Sequence, residues 1–398
     1  MLHRESRALS STTGSLRRRL AVLAAAATVA TGSAHAGSAC NDWNVDFGGP
    51  GTNNSVNAQI VFNGELHIAG AFTQAGGQAI NRIARWDGTT WQPLGTGLQS
   101  VARTMIIFED ALIVGGQFTT AGGVTVNRIA RWDGATWSAM GSGFDSTVFA
   151  LTIFEGELYA GGQFQNSGGT PILRIARWTG TDWEQVGNGF NNVVRALGVY
   201  QGSLHAGGTF TASGDLIRTR IARWDGALWQ ALGSGLGGAP EVIRQIGGDL
   251  VVAGTFTSAG GVTVANIATW NGATWAPMGA GLNGAVNAVE VYNDSIVAGG
   301  AFTSSGGAAG VIINRVSRWN GTTWTQMTAA MNNTVISLGL FNGELIATGD
   351  FTAAGSSLTN RIANWFDCEE SCPADLNGNG VVDGADLGIL LGSWGPCF

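Results

Sequence analysis

Residues 56–95 read VNAQIVFNGELHIAGAFTQAGGQAINRIARWDGTTWQPLG, and this stretch decides the fold. It contains four short apolar runs, each closed by a turn signal. Val56 to Phe62 stops at Asn63-Gly64, Glu65 to Phe72 in Ala75-Gly76-Gly77, Arg82 to Trp86 at Asp87-Gly88, and Trp91 to Leu94 at Gly95. Asn-Gly and Asp-Gly between apolar runs mark tight antiparallel hairpins, because both central residues tolerate positive φ. The stretch is predicted to be a four-stranded meander.

The same pattern returns along the chain. Arg-Ile-Ala-Arg-Trp, strict or with small changes, places its Trp at Trp86, Trp132, Trp178, Trp224, Trp270, Trp319 and Trp365, a step of 46 residues that is once 49. A second Trp follows five residues later at Trp91, Trp137, Trp183, Trp229, Trp275 and Trp324, but not after Trp365. A Gly-x-Phe triplet keeps the same step at Gly70, Gly116, Gly162, Gly208, Gly254, Gly300 and Gly349. Gly-rich spacing leaves no room for a useful helix between residues 40 and 365. A period of this length with four strands per unit is the signature of a β-propeller blade. The expected fold is all-β, a seven-bladed β-propeller of four-stranded antiparallel blades spanning residues 40–368.

Each unit, for example Leu158-Tyr159-Ala160-Gly161-Gly162 followed by Trp178 and Trp183, resembles a kelch repeat. The resemblance covers residues 43 to 368. It implies that the Gly pair ends the second strand and that the aromatic pair lies in the third and fourth. The first aromatic here is Trp, the aromatic spacing is five, and the Gly pair is incomplete at Gly70, Gly254 and Gly349. Fold transfers across such departures, whereas function does not.

Trp43 lacks a Trp before it and Trp365 lacks one after it, so together they make the seventh pair. The N-terminal strand is therefore expected to close the ring. Cys40 lies three residues before Trp43 and Cys368 three after Trp365, so a Cys40–Cys368 disulfide would stand where the other blades have a hairpin turn. Loop-closure entropy gives such a bond roughly 5 kcal/mol. Cys372 and Cys397 would form the second bond, although four Cys allow three pairings.

Arg17, Arg18 and Arg19 precede an apolar stretch from Leu20 to Ala30, and Ala34-His35-Ala36 offers a small-x-small cleavage pattern. Residues 1–36 are expected to be a signal peptide and the protein to be secreted or held at the cell surface. All 20 basic residues are Arg, and without that segment 15 face 26 acids, a net of −11. No basic surface remains for nucleic acid or anionic lipid. The protein is expected to be monomeric.

The tail, residues 372–398, carries a specific pattern. Asp375, Asn377, Asn379, the carbonyl of Val381, Asp383 and Asp386 fall at positions 1, 3, 5, 7, 9 and 12 of an EF-hand loop, with Gly380 at the turn. Calcium takes six to eight oxygens in this arrangement. Ending on Asp and continuing into Leu387, Ile389, Leu390, Leu391 and Trp394, the segment resembles the calcium repeat of dockerin domains. That resemblance implies Ca²⁺ and a cohesin-like or cell-envelope partner. Dockerins use two such repeats, and one is visible here.

The sequence argues for binding over catalysis. Beyond the signal segment the only His are His67 and His205, which share one repeat position with Ile113, Tyr159, Val251, Val297 and Ile346. A His-based triad or a transition-metal cluster is not expected. A functional site on a repeat scaffold should break the repeat. On the innermost strand the breaks are Arg103, Arg195, Arg244 and Glu290, candidate channel residues for a protein or glycan ligand. The fourth-to-first connections, expected on the same face as the Gly-rich second-to-third loops, add Asp145 and Asn192, where turn chemistry competes with ligand binding. The reading is a secreted binding or scaffold propeller. Its alternative is a carbohydrate-active enzyme, a glycoside hydrolase or lyase with a carboxylate pair on that face.

Overall fold

The computed structural model describes residues 42–44, 47, 49–306, 310–327, 331–355, 357–367, 376 and 384–392. Blade 1 consists of Val56–Phe62, Glu65–Gly70, Ile83–Trp86 and Trp91–Pro93, hydrogen-bonded in chain order. Five further four-stranded antiparallel sheets repeat that order, with first strands Ala102–Phe108, Val148–Phe154, Val194–Tyr200, Pro240–Ile246 and Val286–Tyr292. Blade 7 takes Val335–Phe341, Glu344–Gly349 and Ile362–Phe366 from the end of the repeats and Asp42–Asn44 as its outermost strand. Trp43 pairs opposite Trp365, so the N-terminal strand closes the blade, as the Trp count requires. First strands of neighbouring blades touch all the way round, blade 7 to blade 1 included. This is a closed seven-bladed β-propeller, almost all-β, with one short helix, Gly384–Gly392, among the described residues.

The core lies between blades, as it must when each sheet has two apolar faces. One cluster joins Phe62, Ala69 and Ile83 of blade 1 to Leu112, Val114 and Ala130 of blade 2. The seven Phe of the Gly-x-Phe triplets are all fully buried. The Gly before each is obligatory for a steric reason: a Cβ at Gly116 would stand 2.3 Å from the Val101 carbonyl oxygen, and at Gly208 2.0 Å from that of Val193. The residue before it is freer, since Ala69, Ala253 and Thr348 occupy that place, which explains the incomplete Gly pairs. In blades 1 to 6 the indole N–H of the second Trp of each pair bonds a backbone carbonyl about one repeat earlier. Trp137 Nε1 donates to Leu94 O at 2.9 Å, Trp183 to Met140 O at 3.0 Å and Trp229 to Val186 O at 3.2 Å, each acceptor 43 residues earlier.

Three local expectations need correction. The third strand of blade 1 starts at Ile83, because Arg82 adopts a left-handed φ of 65° and its guanidinium reaches Leu98 O at 3.2 Å. Arg128, Arg174, Arg220, Arg315 and Arg361 repeat that conformation. The second strand ends at Gly70 and the fourth at Pro93. Most Gly-rich second-to-third connections are themselves two-stranded ribbons, such as Thr120–Ala121 with Val124–Thr125. Isolated bridges such as Leu98 to Ala121 tie these ribbons to the preceding fourth-to-first connection, so both connections share one face. The expected signal segment 1–36, Cys40, Cys368, Cys372 and Cys397, and the loop residues Asp375, Asn377, Asn379, Val381 and Asp383 lie outside the described residues.

Candidate functional site

Every first strand carries a β-bulge after its first residue, visible as a register shift between Val56 and Ala58 in blade 1 and between Val194 and Ala196 in blade 4. A bulge re-aims the extra side chain. The seven bulge residues are Asn57, Arg103, Phe149, Arg195, Glu241, Asn287 and Ile336. They form a ring near the start of the first strands, hence at the mouth of the channel on the ribbon face. No other register position of the propeller mixes cations, an anion, amides and apolar side chains in this way.

Two members are neutral braces: Asn57 Nδ2 donates to Ala102 O at 2.8 Å and Asn287 Nδ2 to Val335 O at 3.0 Å, each on the next blade. Arg195 Nη1 donates to Glu241 Oε1 at 2.9 Å, and its guanidinium carbon sits 5.6 Å from the centre of the Phe149 ring. Burial raises the Glu241 pKa, against the pull of the Arg195 charge. Arg103 makes no hydrogen bond or ion pair with the described residues. Desolvation, and then the like charge of Arg195, lower its pKa. A cavity of about 300 Å³ opens here, walled by the first strands of blades 2 to 6 and including Thr104, Phe149, Arg195, Glu241 and Arg244.

Arg244 and Glu290 meet at another level. Three positions along their strands beyond the bulge, Arg244 Nη2 donates to Glu290 Oε1 at 2.5 Å and Nη1 to Val289 O at 2.8 Å. The structure thus brings Arg195 and Arg244 to one cavity and gives each an acid exactly one blade on in the ring, Glu241 and Glu290. Glu241 is absent from the sequence-derived candidates, yet the 46-residue step from Arg195 lands on it.

Asp145 and Asn192 act in turns. Asp145 Oδ1 accepts from Gln165 N at 2.8 Å and Oδ2 from Asn166 Nδ2 at 2.8 Å, clipping the ribbon of its own blade. Asn53, Asn191, Asn283 and Asn332 make the same clip in other blades. Burial opposes ionisation of Asp145, but the Asn166 and Gln165 hydrogen bonds outweigh it and leave its pKa below the ordinary carboxylate value. An acid held ionised is no proton donor at neutral pH. Asn192 Oδ1 accepts from Val193 N at 2.8 Å.

A larger cavity, about 410 Å³, lies between blades 3 and 4 near the first-to-second hairpins and contains Glu157, Tyr159, Arg177, Glu184 and Trp224. Glu157 Oε2 lies 2.8 Å from Arg177 Nη1, and Glu184 Oε1 lies 2.7 Å from Arg177 Nε. The Glu184 bond and then the Glu157 bond raise the Arg177 pKa. Burial and Glu157 push Tyr159 up to about 12. The two carboxylates share one counterion, which suits an ion-pair network better than separated acid and base roles.

In the tail, Asp386 stands in the first turn of the helix and is 2 % exposed, while Leu387, Ile389, Leu390 and Leu391 are exposed. Among the described residues no group of three or more His, Cys, Asp or Glu side chains is placed to hold a metal ion.

The class defined by this geometry is a seven-bladed β-propeller with a mixed polar channel mouth. A family profile described as "Domain of unknown function (DUF5122) beta-propeller" matches residues 111–132. No curated protein matches the sequence. Among solved structures, the chain is similar to the computationally designed Ika8 protein at 13% identity and a TM-score of 0.50, covering 80% of this chain and 98% of that one. It is also similar to the extracellular domain of BT4673 from B. thetaiotaomicron, assigned as a hybrid two-component system, at 10% identity and a TM-score of 0.55. That match covers 82% of this chain and 39% of the other, so the chain spans about two fifths of that domain. At these identities the likeness concerns fold alone.

Proposed function

We propose that this protein is an exported, non-catalytic binding and scaffold propeller that takes its ligand at the channel mouth and is attached through a calcium-binding, dockerin-like tail. The observation that carries the reading is the bulge ring. Blade after blade repeats its staples, clips and buried Phe, and the variation gathers at seven side chains around one opening. Of the charges there, Glu241 is bound to Arg195, so the ring offers recognition and no separated acid and base. Likeness to an extracellular domain accords with export.

Calcium would be held by Asp375, Asn377, Asn379, the Val381 carbonyl, Asp383 and Asp386. Asp386 stands at position 12 of that loop, in the first turn of the helix. The exposed apolar side chains of that helix suit a cohesin-like or envelope partner.

A pull-down from the producer's envelope and secreted fractions tests the attachment, using the full chain and a form ending at Glu370, each with calcium and with chelator. Capture by the full chain with calcium alone is expected. Equal capture by the shortened form would move recognition to the propeller and leave the tail without a tethering role.

A further inference from the structure

Five charged side chains stand on the seven first strands: Arg103, Arg195, Glu241, Arg244 and Glu290. Ion pairs on this inner wall follow one rule, a partner 46 residues later. Arg195 meets Glu241 at 2.9 Å and Arg244 meets Glu290 at 2.5 Å. The position 46 residues after Arg103 is Phe149, which offers a ring and no charge. Arg103 is therefore the cation left over, exposed on its bulge, and the inner wall carries one net positive charge in a chain of net charge −7. A lone guanidinium in the same bulge ring as Arg195 makes a local positive field at the channel mouth, which favours an anion.

We infer that the channel mouth binds a small monoanionic carboxylic acid of sugar-acid size, with Arg103 as the partner of the carboxylate and Phe149 as the apolar surface beside it. The inference rests on the binding-module reading and names its ligand class. One surplus charge matches a carboxylate better than a doubly charged phosphate ester. A planar guanidinium matches the two carboxylate oxygens. The cavity of about 300 Å³ is lined on blade 2 by Thr104, with Arg103 next to it in sequence at the rim, and stands at the small end of ligand sites, with room for roughly one or two sugar rings and not for an extended peptide. The acid could be a free sugar acid or the uronate end of a polysaccharide, which present the same group.

Calorimetric titration of the full chain with D-glucuronate, the singly charged disaccharide glucuronosyl-xylose, D-glucose, D-glucose 6-phosphate and an acidic tripeptide tests this. Saturable binding of one or both uronates is expected, weakened by salt, with glucose and its phosphate at least tenfold weaker. The two uronates distinguish a free acid from a chain end. Arg103→Asn should weaken uronate binding about tenfold, the loss of one charge-assisted contact. Because Asn57 and Asn287 occupy the same bulge, that variant should keep the wild-type melting temperature. Should it misfold, Arg103→Ile repeats the test with the residue that blade 7 carries. Uronate binding unchanged in the variant, glucose bound as well as glucuronate, an acidic tripeptide bound more tightly than either uronate, or no uronate binding at all would each overturn the inference and leave the binding-module reading standing. Cleavage of glucuronosyl-xylose would overturn both.

Discussion

Arg195 and Glu241 are 46 residues apart in sequence and 2.9 Å apart in the channel. One repeat carries the chain one blade round the ring and returns each register position to the same height, so a sequence step becomes a contact. Glu241 is buried enough for its pKa to be raised despite Arg195. A carboxyl that holds its proton more tightly when folded contributes stability that is full below its unfolded pKa and declines as pH rises through the folded value. Arg195→Asn should raise the Glu241 pKa further and steepen this decline. Side-chain carboxyl titration by NMR checks it, and an unmoved Glu241 would show that the pair is not coupled.

His205 has the opposite sign. Burial lowers its pKa to about 4, so the imidazole is neutral in the fold. Stability contributed this way is present above pH 6.5 and is lost as pH falls towards 4, at most roughly 3 kcal/mol. His67 shifts in the same direction for the same reason. Blades 2 and 7 use Ile at this position, and His205→Ile should flatten the acid limb of a urea-denaturation series. A limb unchanged by the substitution would exclude His205 as its source.

Asp145 separates a structural from a catalytic role. Asp145→Asn retains the acceptor that the other blades use, and its stability should stay within about 0.5 kcal/mol of wild type. Asp145→Ala loses the clip and should cost about 1 to 2 kcal/mol, read from the denaturant midpoint. Equal losses in the two variants would mean that the negative charge, and not the clip, matters.

Trp43 carries the closure of the ring. It is 3% exposed, and its ring centroid lies 5.3 Å from that of Trp365. Trp43→Ala should cost about 3 to 5 kcal/mol, far more than a truncation at an exposed strand residue. If Cys40 and Cys368 are bonded as proposed, reduction should lower the melting temperature as well, and peptide mapping without reductant should recover the two linked. A small effect from Trp43→Ala would mean that the ring holds without its N-terminal strand.

The architecture was legible because its determinants repeat. Asn63-Gly64 and Asp87-Gly88 fix hairpins locally, and the unpaired Trp43 and Trp365 announce how the ring closes. The bulge ring was not legible, because a bulge is set by backbone registry and leaves no residue type behind. Arg82 and its equivalents hid their left-handed conformation, since Arg, unlike Gly or Asn, gives no sign of positive φ. Ribbons of two residues per strand are too short to show alternation, and Glu241 stood beside Pro240 where its neighbour blades carry Val. The sequence thus pointed to Arg103, Arg195, Arg244 and Glu290 one at a time, and the fold supplied the pairing that leaves Arg103 alone.

The central claim is recognition without turnover. Its most direct measurement is retention of the full chain on immobilised acidic and neutral polysaccharides, with newly formed reducing ends counted in the same reaction. Saturable retention with no new reducing ends is the predicted result. Accumulating reducing ends that vanish in Asp145→Asn or Glu290→Gln while retention persists would contradict the account and make the protein an enzyme.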